Sequence, residues 1–439
     1  MSRDLADFIR RAVTPWHAVA EMERRLVAAG FVPLSECTRL EPGDRVYDVA
    51  FGSALTAVIV GDSPAPVWSI VGAHCDSPAL AVKPGADQVA EGYRRIATEV
   101  YGGPILNTWF DRPLGLGGRV WWTEGDSGRL SVSLLELETR FVLPNLAIHM
   151  NREVNQGVEI NAAKELLPVY AAAEGRDLLT LVAEAAGVDA AAIRGWDLRF
   201  FDPEPASFLG DGGIWLQAPR LDNLMSCHAG LEALLAVAAG GDRPGGDRPG
   251  GDRPGGDQLG SHAVLFCADT EEVGSRAKNG AASLLLRDRL ERVALLLGAG
   301  RADFLAGLDR SFLISADLAH AVHPNRSELA DAASRPRLNG GPVIKSAANL
   351  SYITDAEGAA RFGLLCEAAG VPSQNFSNRS DLRGGSTIGP LLSGPLPLPG
   401  VDVGTAVWAM HSLRETAGVL DQAWFCRVLA AFYSRSHIP

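Results

Sequence analysis

The stretch Ser261–Ser275, "SHAVLFCADTEEVGS", runs from an apolar strand pattern straight into three carboxylates. Adjacent residues on a strand point to opposite faces. Glu271 and Glu272 can therefore serve one site only if the chain leaves the strand at Asp269 and turns, and Gly274 supports a bend there. The same pattern recurs. "APVWSIVGAH" (65–74) ends on His74 with Asp76 two residues on, and "RSFLISAD" (310–317) ends on Asp317. Helical stretches at Leu221–Ala239, Asn279–Leu297 and Ala356–Ala369 alternate with these runs, the rhythm of an α/β layered fold. Ligands of open α/β sheets bind beyond the carboxyl ends of strands, which is where these acidic and imidazole groups fall.

The rest of the chain sets bounds. At 439 residues it has room for more than one domain and a large core. Its 52 acidic and 40 basic residues give a net charge of −12, which argues against nucleic acid as the main partner. No run of about 18 uncharged apolar residues suggests a membrane span. "MSRDLADFIRRAVTPWHAVAEMERRL" reads as an amphipathic helix, not a signal peptide. Six scattered cysteines without a C-x-x-C pair read as reduced, buried thiols of a cytoplasmic enzyme. Between about Lys83 and Phe201 short strand-like pieces separated by glycines replace the α/β rhythm, a mainly β insertion that splits the α/β domain. "GGDRPGGDRPGGDRPGGDQL", Gly240–Leu259, repeats a pentapeptide too polar to order itself and reads as an expanded surface loop.

The groups at the strand ends are His74, Asp76, Asp222, Glu271, Glu272 and Asp317, with His320, His323 and His411 nearby. Mixed imidazole and carboxylate donors suit zinc in a hydrolase, whereas carboxylates alone favour magnesium or calcium. Two His, two Asp and one Glu fit a two-metal site with ions roughly 3.5–4 Å apart. On an extended H-x-D segment both side chains face the same way, so His74 can ligate while Asp76 holds its other ring nitrogen. A site that deprotonates water also needs a base that is not a ligand, and the paired glutamates offer one of each. No G-x-S-x-G elbow occurs, and "GLGG" lacks the frame of a dinucleotide loop.

Taken in order, "GAHCDSP", "LDN", "DTEEVGS", "SADLAHAVHPN" and "MHSLRE" resemble the aspartyl aminopeptidase family of cocatalytic dizinc exopeptidases. "TWFDRPLGLGGRV", "LPNLAIHMNREVN", "KSAANLSYITD" and "RSDLRGGSTIGP" extend the likeness over essentially the whole chain. The resemblance implies a mixed-sheet, three-layer α/β zinc-exopeptidase domain from 1–85 and 211–439, with an inserted β-rich oligomerisation domain at 86–210. It implies one zinc on His74, Asp222 and Asp317 and a second on Asp222, Glu272 and His411, with cobalt or manganese as substitutes. Glu271 is then the general base and Asp76 the orienter of His74. Lys345 would meet the acidic side chain of an N-terminal Asp or Glu, with Tyr352 and His323 also near the substrate. His149 would be lent to a neighbouring subunit's active site within a homododecamer. The chain departs from the family pattern at Leu350 and Ser351, which replace a polar residue and an arginine, and at Gly384, which replaces a cysteine. These departures leave room for a broader-specificity aminopeptidase or a deacylase on the same scaffold; a metal-stabilised, non-catalytic oligomeric scaffold is the third reading.

Overall fold

The computed structural model describes residues 1–63, 65–157, 159–240, 259–382 and 384–434. The GGDRP repeat at 241–258 lies outside them. Among the described residues, the parallel strands His262–Ala268, Trp68–His74, Phe312–Ala316 and Gly400–Gly404 form the middle of a nine-stranded mixed sheet. Antiparallel pairing with Ala54–Ile59 and Val343–Lys345 extends it on either side. These middle strands are buried on both faces, which is why their sequences read as continuous apolar runs and not as alternation.

The period of two is still visible in where their side chains go. Val71, Ala73, Leu265, Cys267, Ile314 and Ala316 pack into one core. It is completed by helices Ser2–Arg11, Pro15–Ala28, Leu221–Ala238, Ala356–Ala368 and Val419–Tyr433. Trp68, Ile70, Val264, Phe266 and Leu313 pack into the opposite core with helices Leu285–Leu296, Arg301–Leu308 and Ile388–Ser393. Helix, sheet and helix make three layers, as expected from the sequence. The N-terminal segment differs from the single helix expected. It forms two helices, because Thr14 is extended and Pro15 opens the second at its first position, where a missing N–H costs nothing.

A second, six-stranded antiparallel sheet takes all its strands from Ala79 to Phe201 and has its own core around Leu80, Ile96, Trp109, Leu116 and Phe200. Its strand Ala79–Ala90 begins three residues after Asp76, so this sheet grows directly out of the end of the His74 strand. None of the six cysteines is in a disulfide. No helix of the described residues is long and apolar enough to cross a membrane.

Candidate metal centre

Strands Trp68–His74, His262–Ala268 and Phe312–Ala316 run parallel, so their carboxyl ends meet at one edge and deliver His74, Glu271, Glu272 and Asp317 together. After Ala268 the chain turns through Thr270, whose φ of 63° is left-handed, into a single turn Glu271–Val273 closed by Gly274 at φ 96°. That turn is what brings two neighbouring glutamates to one site. Asp222 comes from the start of helix Leu221–Ala238, and its neighbour Asn223 ties it to the third strand by donating Nδ2–H to the Ala316 carbonyl at 2.8 Å. His411 follows strand Ala406–Trp408, with φ at 68°.

Asp222 stands at the centre. Its Oδ1 lies 3.4 Å from His74 Nε2 and its Oδ2 lies 3.5 Å from His411 Nε2. Asp317 Oδ1 is 3.6 Å from His74 Nε2, and Glu272 Oε2 is 3.4 Å from His411 Nε2. Glu271 stands further off, with Oε2 4.0 Å from His74 Nε2. Among the described residues no hydrogen-bond donor meets the buried Asp222 Oδ1 or Glu272 Oε1, and ligand atoms of His74, Asp222 and Glu272 fall within 4.8 Å of one another. Buried carboxylate oxygens with no donor are costly unless a cation meets them. These residues therefore fit divalent metal ions of the kind that accept nitrogen and oxygen ligands.

The charges respond to this crowding. Burial opposes a charge on His74, yet Asp222, Asp317 and Asp76 around its ring hold its pKa well above the usual value. Burial likewise opposes His411, but Asp222 and Glu272 bring it up to about 10. Burial raises the Glu271 carboxyl to about 7; the His74 charge works against this, and Asp317, Asp222 and Asp76 add to it. Glu272 is pushed well above the usual range by burial and by Asp222. A protein carrying so many competing carboxylates in one cluster is poised for cations.

The partner of His74 Nδ1 differs in detail from the H-x-D expectation. His74 Nδ1 lies 3.1 Å from the backbone carbonyl of Asp76 and 3.4 Å from its Oδ1. The Asp76 carboxylate also accepts the N–H of Glu271 at 3.0 Å and of Glu272 at 3.2 Å. One residue thereby holds both the imidazole, through its carbonyl, and the glutamate turn, through its carboxylate. Sequence reasoning missed Glu415. Its buried carboxylate accepts the N–H of Asp222 at 2.9 Å and of His411 at 2.7 Å, clamping two residues of the cluster at their backbones. Its signal was its place in "MHSLRE", four residues after His411.

A cavity of about 260 Å³ opens beside these groups, lined in part by Glu271, Asp317, Lys345, Tyr352 and Phe376. Lys345 is buried at its floor, donating Nζ–H to the Leu318 carbonyl at 3.1 Å, 3.5 Å from Asp317 Oδ2 and 5.2 Å from the Tyr352 ring centre. His323 is exposed and lines a neighbouring cavity with Arg326 and Arg379; the two cavities share His320, Phe376 and Gly385. His149 sits in an exposed turn and lines neither cavity of its own chain. Leu350 is 73% exposed and the Ser351 hydroxyl donates to Asn349 Oδ1 at 2.6 Å; among the described residues neither lines the cavity. A Cβ at Gly384 would meet the side-chain amide of Asn378, which would have to move to admit it. A second acidic and imidazole group, Asp4, His228 and Glu232, is already closed by Arg25, which bonds Asp4 at 2.8 Å and Glu232 at 2.9 Å.

A three-layer α/β fold with imidazoles and carboxylates converging at the carboxyl edge of its sheet defines the class first, a metallohydrolase. Residues 8–433 match the Aminopeptidase I zinc metalloprotease (M18) family, and the chain belongs to that family. It is 40% identical to a probable M18 family aminopeptidase 2 of Clostridium novyi, over 99% of this chain and 98% of that one. Among solved structures it is similar to the Ape4 of an Ape4–Nbr1 complex, with 30% identity, TM-score 0.90, and coverage of 98% of this chain and 85% of that chain. It is also similar to the S. cerevisiae mApe1 dodecamer, with 25% identity, TM-score 0.83, and coverage of 99% and 96%. The protein is thus a zinc aminopeptidase of M18 type.

Proposed function

We propose that this aminopeptidase uses two zinc ions to remove N-terminal residues from peptides, with preference for Asp and Glu. The observation that carries the reading is the division of Asp222, whose two oxygens face two different imidazoles at 3.4 and 3.5 Å. His74, Asp222 and Asp317 would hold one ion, and Asp222, Glu272 and His411 the other. The chemistry supplied by such bound ions is Lewis acidity, which acidifies water and polarises a carbonyl.

Glu271 is assigned the proton transfers. It stands further from an imidazole than Asp222, Asp317 or Glu272 do, which leaves it free to move protons. It takes a proton from the attacking water and returns it to the leaving amine nitrogen, so the peptide C–N bond breaks with protons in balance. Asp76 fixes the turn that presents both glutamates by accepting both of their N–H groups.

Lys345 supports the acidic preference, because a buried ammonium at the cavity floor favours an anionic side chain. Exposed Leu146, Ile148 and Met150 around His149 support an oligomer that covers this segment and lends His149 to a neighbour. A dodecamer assembled through the 86–210 region is the proposed form, after the mApe1 relative. Hydrolysis of N-terminal Asp, Glu, Leu and Ala chromogenic substrates, alongside zinc counted per chain, tests the reading. Leu cleaved far faster than Asp and Glu removes the acidic preference, and one zinc per chain removes the two-ion centre.

A further inference from the structure

We infer that the inserted sheet is part of the metal site: Tyr101 and Gly103 at its edge, with Arg199 behind them, are positioning residues for Asp76 and His411. This rests on the ligand assignment above and goes beyond it.

Tyr101 closes strand Tyr93–Tyr101, which pairs with Ala79–Ala90 so that Tyr101 stands opposite Ala79. From there its hydroxyl donates to Asp76 Oδ2 at 2.8 Å, the shortest hydrogen bond this carboxylate receives. Asp76 thereby has donors on both oxygens: Oδ1 takes the Glu271 N–H and faces His74 Nδ1, and Oδ2 takes the Glu272 N–H and Tyr101. The phenol ring is held in turn. The Arg199 guanidinium, from strand Ile193–Phe201, lies 3.7 Å from the Tyr101 ring centre and 5.1 Å from that of Trp16, in helix Pro15–Ala28. A stacked cation of this kind fixes the ring and places positive charge behind the Asp76 carboxylate.

The next two residues reach the other half of the site. Gly102 has φ 72°, and a Cβ there would meet Glu272 Cβ at 3.1 Å, so glycine eases the close passage of the insert past Glu272. Gly103 presents its carbonyl to His411 Nδ1 at 3.0 Å. A carbonyl can only accept, so Nδ1 carries a proton, and in the neutral ring that would bind a metal Nε2 is the nitrogen left to face Asp222 and Glu272. Three consecutive residues of one insert strand end thus orient His74 through Asp76, pack Glu272, and set the tautomer of His411.

Partners of this kind typically change metal affinity or activity by about 10–100-fold. Tyr101→Phe keeps the ring for Arg199 and removes only the hydroxyl. Its comparison is Tyr170→Phe, which removes a hydroxyl bonded at 3.1 Å to Asp87 within the same sheet but out of contact with the site. Zinc affinity by chelator competition, kcat and KM are measured for both, with His411→Ala alongside. The expected result is zinc affinity and kcat lower by about tenfold in Tyr101→Phe, with KM little changed and with Tyr170→Phe binding zinc like wild type. If Tyr101→Phe matches wild type in zinc affinity and kcat while His411→Ala loses zinc, the inference is overturned and the ligand assignment stands. If His411→Ala binds zinc like wild type, the assignment falls and the inference falls with it.

Discussion

Replacing Glu271 by Gln tests the division of labour between the paired glutamates. The substitution keeps volume and removes the ability to accept and return a proton. Glu271 Oε2 is 4.0 Å from His74 Nε2, whereas Glu272 Oε2 is 3.4 Å from His411 Nε2 and its buried Oε1 meets no donor among the described residues. The backbone N–H of Glu271 still meets Asp76, so the turn is retained. Zinc content of Glu271→Gln is therefore expected to match wild type. A positioned general base contributes about 10²–10⁴ in rate, and each factor of ten is about 1.4 kcal/mol of barrier. A loss of kcat by about 10³, or about 4 kcal/mol, is the central expectation. Metal analysis of dialysed protein together with steady-state hydrolysis of an N-terminal Asp substrate reads both quantities. Glu272→Gln is expected to do the reverse and lower zinc content first. Wild-type turnover in Glu271→Gln, or the loss of metal from it and not from Glu272→Gln, refutes the assignment.

Further outcomes follow from neighbouring groups. Lys345→Met removes the ammonium from the cavity floor, and charge-assisted hydrogen bonds of about 1.5–3 kcal/mol translate into a fall of about 10–100-fold in kcat/KM for Asp over Ala substrates; an unchanged Asp-to-Ala ratio removes Lys345 from specificity. Glu415→Ala leaves the buried N–H groups of Asp222 and His411 without acceptors, each costing about 1–3 kcal/mol, and a scan of thermal unfolding on zinc-free protein should show a clearly lower Tm. Asp4 accepts from His228 Nε2 at 2.6 Å and from Arg25 at 2.8 Å. The His228 hydrogen bond, with Arg25 assisting against burial, holds its carboxyl well below the usual range. A lowered acid stabilises the fold above its unfolded pKa of about 3.9 and loses that contribution as pH falls further. Asp4→Asn should accordingly lower Tm at pH 7 and flatten its decline below about pH 4; parallel Tm–pH curves for the two proteins would contradict this.

Much of the candidate site was legible along the chain. His74, Asp222, Glu271, Glu272, Asp317 and His411 stand at the ends of apolar runs or in short motifs, and the structure brings all six together. The reason is topological: parallel strands place their carboxyl ends at one edge, so residues that end strands far apart in sequence become neighbours. Glu415, Tyr101 and Gly103 left weaker traces. They act through backbone hydrogen bonds, or on a residue already in the site, and such contacts carry no spacing rule. The N-terminal helix break at Thr14–Pro15 was visible as a proline, but the amphipathic pattern on both sides of it read as continuous.

By itself the sequence determined the α/β layering, through apolar runs long enough to be buried on both faces, and the chemical type of the site, through imidazoles and carboxylates at strand ends. Only the tertiary structure decided how those groups divide. The left-handed Thr270 turns Glu271 and Glu272 toward one centre, and Asp222 reaches two imidazoles with one oxygen each. It also decided that the insert's strand end at Tyr101–Gly103 lies against the site. Hydrophobic periodicity is a local property written every second or fourth residue, whereas distances of 3 to 4 Å between groups hundreds of residues apart exist only once the sheet has closed its order.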